Sequence, residues 1–448
     1  MMLNATEENR KALASLLGID EDEAAEKLQT RVAVTVADPA GAAFAADLSE
    51  LIGKTLQLVD ADADPHIEIA IGGPASTGAP VRMTASMLCE GLTVGGGVLR
   101  PEWSAVPRFN ERICACYAAG VVIARAIGRS CPDPFGVEFR ALGIPDDHAP
   151  IVFDDDALAG CGGVGTGFLW ALQSVQTSGT LTVVDGKNVS DGNLNRCFFY
   201  GGDDVGKPKA ERLVARAVLG ETVLKPFVGT FHDLLLQRGR IRRVFVTVDS
   251  RPARRSIQAD MPLEVFDSST TDVTAVVAHH HRQPTRYACL SCIYPHIPEE
   301  DARERDIARL LGLTLDQAKR RTVDAEMAVE LSRNFGEPAD TFFGKSMDSL
   351  AKARCGSAPV TTAGGRQALA PFAFVSSLAG CLMVVDLMRS LSKKDLPPAN
   401  YLHLDPWRPP TPVRRLRARR DRCEFCGDSE LKGVLVSLWD LPPDSDAS

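Results

Sequence analysis

Gly160-Cys161-Gly162-Gly163-Val164-Gly165 follows a strand expected near Ala149 to Leu158 and leads into a helical stretch around FLWAL. Glycines at such a strand-to-helix turn let backbone approach a phosphate, while the helix N-terminus offers free N–H donors and a positive dipole end. By itself a G-x-G-x-x-G also fits a tight turn or a dinucleotide site. Further out, LTVVD (Leu181 to Asp185) and VFVTVD (Val244 to Asp249) have the composition of strands. Their alternation with helical stretches predicts a parallel, doubly wound α/β sheet.

The residues beyond the loop narrow the ligand. Asp185 ends the strand after it, where a carboxylate accepts hydrogen bonds from ribose hydroxyls. Asn193-Leu194-Asn195-Arg196 comes next, then Asp204-Val205-Gly206-Lys207-Pro208-Lys209. A dehydrogenase has no need of Arg196 and Lys209 here. A triphosphate does, because positioned cations stabilise the charge that develops on phosphates in the transition state. Asp249 closes its strand ahead of Ser250 and Arg254, and a carboxylate in that place is a natural ligand for Mg²⁺, which prefers hard oxygen donors.

In this order and spacing, the residues from Gly160 to Arg254 resemble the ThiF superfamily of E1-like, ubiquitin-activating enzymes. Its pattern is a GxGGxG loop, a ribose Asp, an N-L-N/Q-R element, a V-G-x-x-K element and a strand-ending D-N. The resemblance implies ATP and Mg²⁺ as ligands. Gly160, Gly162, Gly163 and Gly165 would line the phosphates, Asp185 would hold the ribose, Asn193, Arg196 and Lys209 the phosphates, and Asp249 the Mg²⁺. Gly192 stands for the usual Ser, Cys197 for Gln and Ser250 for Asn; none of these removes a charge the chemistry needs.

Cys289-x-x-Cys292 and Cys423-x-x-Cys426 are two knuckles that can close a tetrahedral Cys₄ zinc site; a redox role for either pair is the rival reading. The superfamily has one knuckle after the nucleotide half and one near the C-terminus, so Zn²⁺ would pin the tail to the core. Cys355 opens the small-residue loop CGSAPVTTAGGRQALAP. Ubiquitin-activating relatives carry their catalytic cysteine in this part of the chain, which makes Cys355 the candidate nucleophile, with Arg354 favouring its thiolate. Cys114, Cys116 and Cys381 are expected in packing.

The expected fold is α/β: a Rossmann-like adenylation domain over 146–448 with a mostly parallel sheet, a helical insert and cysteine region over about 298–370, and a C-terminal zinc knuckle. Residues 1–145 have strand-like RVAVTVA and HIEIAIGG but no phosphate loop, and their layout resembles the inactive adenylation domain of two-domain E1 proteins. A helix is expected from Glu7 to Leu28, and Arg10 is a possible donor of an arginine finger. The layout is most similar to the E1-like proteins of bacterial antiphage ubiquitin-like conjugation operons.

That resemblance implies adenylation of a ubiquitin-like protein's C-terminal carboxylate, a thioester on cysteine and transfer to an E2-like protein. A sulfur-carrier adenylyltransferase and a non-catalytic binding module are the alternatives. The chain has 50 Lys plus Arg against 58 Asp plus Glu, a net charge of −8 that argues against a nucleic-acid scaffold. The apolar stretch Phe372 to Met388 is interrupted by Ser376, Ser377, Gly380 and Asp386 and reads as a buried helix rather than a membrane span. The polar N-terminus points to the cytoplasm. Homodimerisation is left open. The triple His279-His280-His281 is expected in a solvated loop, since alternate strand residues face opposite ways and three in a row do not share one ion. The basic run Arg414 to Arg422 reads as a charged strand edge, a linker or a contact for an acidic partner.

Overall fold

The computed structural model describes residues 3–97, 101–271, 273–296, 302–320, 323–345, 347, 350, 371–394, 396–412 and 414–442. It divides into two compact units, Met1–Tyr294 with Ala370–Ser448, and Pro295–Leu369.

The larger unit begins with two helices, α1 (Leu3–Leu17) and α2 (Glu21–Leu28), instead of the single helix expected from Glu7 to Leu28. Gly18 breaks the run at φ +68°. Asp20 then restarts it, its carboxylate accepting from the amides of Asp22 (3.0 Å) and Glu23 (2.8 Å). Next come β1 (Arg31–Val36), α3 (Ala42–Gly53), β2 (Gln57–Leu58), β3 (Ile67–Ile71), β4 (Val81–Leu88), β5 (Gly91–Gly95), α4 (Arg108–Ala126), β6 (Phe135–Glu138) and the short α5 (Phe139–Leu142). The strands form a sheet of order β2-β1-β3-β4-β5-β6, parallel through β4 and antiparallel beyond. All five residues of β3 are buried, as befits a central parallel strand, and its one carboxylate, Glu68, is met by Thr35, Ser76 and Thr77.

The second sheet is built from β7 (Ile151–Ala159), α6 (Gly163–Leu172), β8 (Thr177–Val184), α7 (Lys209–Arg216), β9 (Glu221–Phe227), α8 (Phe231–Arg238), β10 (Arg243–Val246), α9 (Arg251–Ala259), β11 (Glu264–Thr271), β12 (Ala275–Arg282) and α10 (Leu290–Ile293). In the smaller unit, α11 (Ala302–Leu311), α12 (Leu315–Lys319) and α13 (Ala325–Phe335) enclose their own apolar cluster around Leu311, Met327, Leu331 and Phe342. The larger unit resumes with α14 (Ala373–Ser390), β13 (Tyr401–Leu404) and α15 (Ser429–Leu438). The second sheet has the order β13-β12-β11-β10-β7-β8-β9, parallel from β11 to β9 with two antiparallel strands at the other edge.

Helix α14 is long and apolar enough to cross a membrane by length and composition, yet 89% of it is buried inside the fold. It packs on α4, α6, β11 and β12, so the two sheets share one core. The crossing with α6 is close: a Cβ added to Gly380 would stand 2.4 Å from the backbone of Gly167. The Ser and Gly residues that interrupt the hydropathy of this helix are what let it pass against its neighbour.

Candidate active site

The chain runs from β7 outward to β8 and β9, then returns to the opposite side of β7 at β10. Such a reversal opens a crevice beyond the carboxyl ends of the two flanking strands, the usual ligand site of an open α/β sheet. The glycine loop follows β7 and Thr247 to Asp249 follow β10, so both line this crevice. Gly160 has φ +108°, and an added Cβ would lie 2.8 Å from the Thr247 backbone. At Gly165 it would lie 2.1 Å from the Gly160 carbonyl oxygen. These two glycines are required by the tightness of the turn. Thr247 Oγ1 donates to the Gly160 carbonyl at 2.7 Å and so fastens the loop to β10. At Gly162 a Cβ would meet nothing within 4 Å. The first turn of α6 has no side-chain cap, which leaves its amides facing open space in the crevice.

Asp185 lies at the end of β8 as expected. One carboxylate oxygen accepts from the Cys161 amide and the other from the Lys187 amide, each at 2.8 Å. It therefore shapes the loop and still has lone pairs for a further donor.

The charged groups converge. Asp249 pairs with Lys187 at 2.8 Å, and both side chains are largely exposed to the crevice. Protein bulk around this carboxylate works against its charge, but Lys187 and the more distant Lys209 outweigh it, and its pKa falls below the usual carboxylate value. Lys209 is only 8% exposed. Its charge reaches Asp249 and helps to lower the pKa of that carboxylate. The residue also opens α7, where the helix dipole disfavours a cation. Arg196 lies across the loop, its Cγ 3.2 Å from a Cβ built on Gly163, and Nη1 donates to the Gly192 carbonyl (2.5 Å) and Asn195 Oδ1 (2.9 Å). Asn193 is buried and accepts from the Ser190 amide at 3.0 Å, which caps the turn carrying Arg196. Arg254 turns into the core, where it pairs with Asp267.

Lys187 is absent from the sequence-level reading, and Ser376 enters it only as a break in an apolar stretch. Ser376 Oγ is buried without a partner, 2.8 Å from a Cβ built on Gly163. The only clue to Lys187 is its place two residues beyond a strand-ending Asp. Nothing local marks Ser376, which lies more than two hundred residues beyond Gly163.

The four knuckle cysteines meet although far apart in sequence. Their sulfur atoms all lie within 4.8 Å of one another, with Cys289 to Cys423 at 3.8 Å, Cys289 to Cys292 at 3.9 Å and Cys292 to Cys426 at 3.4 Å. Four sulfurs at about 2.3 Å from a tetrahedral Zn²⁺ stand about 3.8 Å apart, so the donor set fits that ion. The Arg420 amide donates to Cys292 Sγ at 3.3 Å. Hydrogen bonding from the Cys289 thiol brings Cys292 down to about 7.

The ThiF family sequence pattern matches residues 155–425, and that of the E1 N-terminal domain matches residues 2–145. The chain belongs to the ThiF family. Its E1-like, Rossmann-like α/β fold is the one expected. "Uncharacterized protein y4jF" of Sinorhizobium fredii (strain NBRC 101917 / NGR234) is 27% identical over 281 residues, covering 58% of this chain and 53% of that protein. The chain thus spans about half the length of this relative. E. coli MccB solved with MccA-N7isoASN is 15% identical, over 64% of this chain and 69% of that one, with a TM-score of 0.33. PaaA is 23% identical over 31% and 41%, with a TM-score of 0.22. Superpositions this distant carry neither site nor activity across.

In this ThiF-family chain Arg10 is engaged with Glu21 of α2 at 2.8 Å. Cys355 lies outside the described residues. The histidine triple requires a correction, because it lies on β12 and not in a solvated loop. His279 and His281 are buried on one face, their ring centroids 5.0 Å apart. His280 stacks on its cross-strand partner Phe266 at 4.2 Å and bonds Glu264 at 3.1 Å. Flanking strands β11 and β13 turn an apparently polar run into sheet interior.

Proposed function

We propose that the chain uses MgATP to adenylate the C-terminal carboxylate of a small ubiquitin-like protein. The observation that carries this reading is the convergence at one crevice of the uncapped N-terminus of α6, Arg196 over the loop, and Asp249 flanked by the charges of Lys187 and Lys209. Lys209, Arg196 and the α6 amides would bind and orient the phosphates. Asp185 would hold the ribose, and Asp249 the Mg²⁺ once Lys187 is displaced. Bound Mg²⁺ supplies charge neutralisation on the phosphates. The carboxylate of the partner attacks the α-phosphate, the bond to pyrophosphate breaks, and an acyl adenylate remains.

The first sheet supports the assignment of residues 1–145 as an inactive half. Its turn after β1 holds Asp38 and Pro39 where the second sheet has glycines, and the Asp38 carboxylate already accepts from the Ala40 amide at 2.9 Å. An anion would meet a carboxylate there. In the second step a cysteine, assigned to Cys355, attacks the acyl carbon; AMP departs, a thioester forms, and an E2-like protein accepts the acyl group. The setting would be a cytoplasmic conjugation system of the bacterial antiphage type.

The test is ATP–pyrophosphate exchange with ubiquitin-like partners, followed by a gel shift sensitive to reducing agent. Asp249→Ala is expected to lower exchange by about 100-fold or more, in the range seen when a preorganised electrostatic contact is removed. Cys355→Ala should keep exchange and lose the shifted band. Full exchange by Asp249→Ala would refute the magnesium role, and a shifted band in Cys355→Ala would put the nucleophile elsewhere.

A further inference from the structure

Two buried asparagines connect the first helix to the arginine of the candidate site. Asn9 of α1 is 3% exposed and Asn195 is 1% exposed. Asn9 Nδ2 donates to the carbonyl of Lys54, just past α3, at 2.7 Å. Asn195 Nδ2 donates to Asn9 Oδ1 at 2.9 Å, and Arg196 Nη1 donates to Asn195 Oδ1 at 2.9 Å. A carbonyl can only accept and a guanidinium can only donate, so the two ends of this chain fix the orientation of both amides between them. No other arrangement of their oxygens and nitrogens satisfies all three bonds.

The surroundings hold the same turn from the same side. Lys54 Nζ donates to the carbonyl of Cys197 at 3.0 Å, and its ammonium lies 5.4 Å from the centroid of the Phe198 ring. A Cβ on Gly192 would stand 3.3 Å from Glu8 Cγ, so the first helix rests directly on the turn that carries Arg196. Buried amides are costly unless paired, and each of these makes one of its two bonds to the other. Apolar packing alone would seat α1 on this turn without either.

We propose that Asn9 is a positioning residue for Arg196, acting through Asn195, and that the N-terminal segment thereby forms part of the nucleotide site. This rests on the adenylation reading of the crevice. A guanidinium whose Nη1 is held by both the Asn195 amide and the Gly192 carbonyl is fixed across the glycine loop before nucleotide arrives, and preorganisation of that kind raises affinity by lowering the ordering cost.

The test is calorimetric titration of the full chain with MgATP in four forms: unsubstituted, Asn9→Ala, Arg196→Ala and the double variant. Asn9→Ala is expected to weaken binding by about 10-fold in the unsubstituted chain, the scale of one hydrogen bond to a charged group, but by less than about 2-fold when Arg196 is already Ala. Asn195→Ala breaks the relay at its middle with the sequence of α1 unchanged, and should reproduce the first loss. Equal losses in both backgrounds, or no loss from either asparagine, would overturn the proposal. If the unsubstituted chain binds no MgATP, the adenylation reading fails instead. The relay is then judged from thermal melts, in which Asn9→Ala and Asn195→Ala should be strongly non-additive. Additive losses would show that the two amides do not act together.

Discussion

Lys209 shows how a single residue can expose a function. Its side chain is mostly buried and it opens α7, where the helix dipole disfavours a cation. A bound anion would offset that cost. Arg196 and Asp249 were legible in the sequence for the same reason, since their charges follow a glycine loop at fixed spacing. Lys187 was not, because its pairing with Asp249 depends on two strand ends meeting across the sheet.

The buried imidazoles make a second residue-scale prediction. Burial brings His279 down to about 3 and His281 well below its ordinary value. The unfolded chain therefore binds more protons below about pH 6.5. The stability these rings contribute is complete above that pH and is lost as pH falls, at up to about 1.4 kcal/mol per pH unit for each ring. Asp156 works the other way: burial raises it to about 7 despite Arg243 at 3.4 Å, so it favours the folded state as pH falls from that value. The difference between chains isolates the imidazoles. In urea titrations at pH 7.5 and 5.5, the unsubstituted chain should lose about 1–3 kcal/mol more than His279→Gln/His281→Gln. Parallel pH profiles for the two would contradict the assignment.

At the scale of elements, the sequence was most readable where periodicity or punctuation is strong. The strands β7, β8 and β10, the buried helix α14 and the break into a helical insert all follow from local pattern. The division of the first helix at Gly18 and the placement of the histidine strand do not. The one depends on a glycine's positive φ, and the other on which strands flank β12. The cysteine knuckles lie between these cases, since each C-x-x-C is visible locally but their meeting is a tertiary fact. Trp439, just past α15, donates to the Met261 carbonyl at 2.9 Å, so the knuckle and this contact fasten the C-terminal helix together. If the four sulfurs hold Zn²⁺, purified protein should contain about one zinc per chain. Cys423→Ser should then lose it and melt about 5 °C lower or more, since a tightly bound ion contributes at least about 2 kcal/mol. Purified protein without zinc, or an unsubstituted chain as purified that melts no higher than Cys423→Ser, would refute the zinc site.

At the scale of the whole molecule, two largely parallel sheets reverse their strand order in the same manner, yet the turns at their crevices differ. The first fills its turn with its own carboxylate. The second leaves helix amides open and surrounds them with cations. The N-terminal half is joined to that second crevice by the shared core around α14 and by the contacts of α1 with the Arg196 turn, an arrangement no local sequence pattern announces. The central claim is that these groups form a triphosphate site and not a dinucleotide site. Calorimetric titration of the full chain with MgATP and, separately, with NAD tests this most directly. The account predicts saturable binding of MgATP that weakens by about 10-fold or more in Lys209→Ala, and no binding of NAD. Binding of NAD, or affinity for MgATP that Lys209→Ala leaves unchanged, would contradict it.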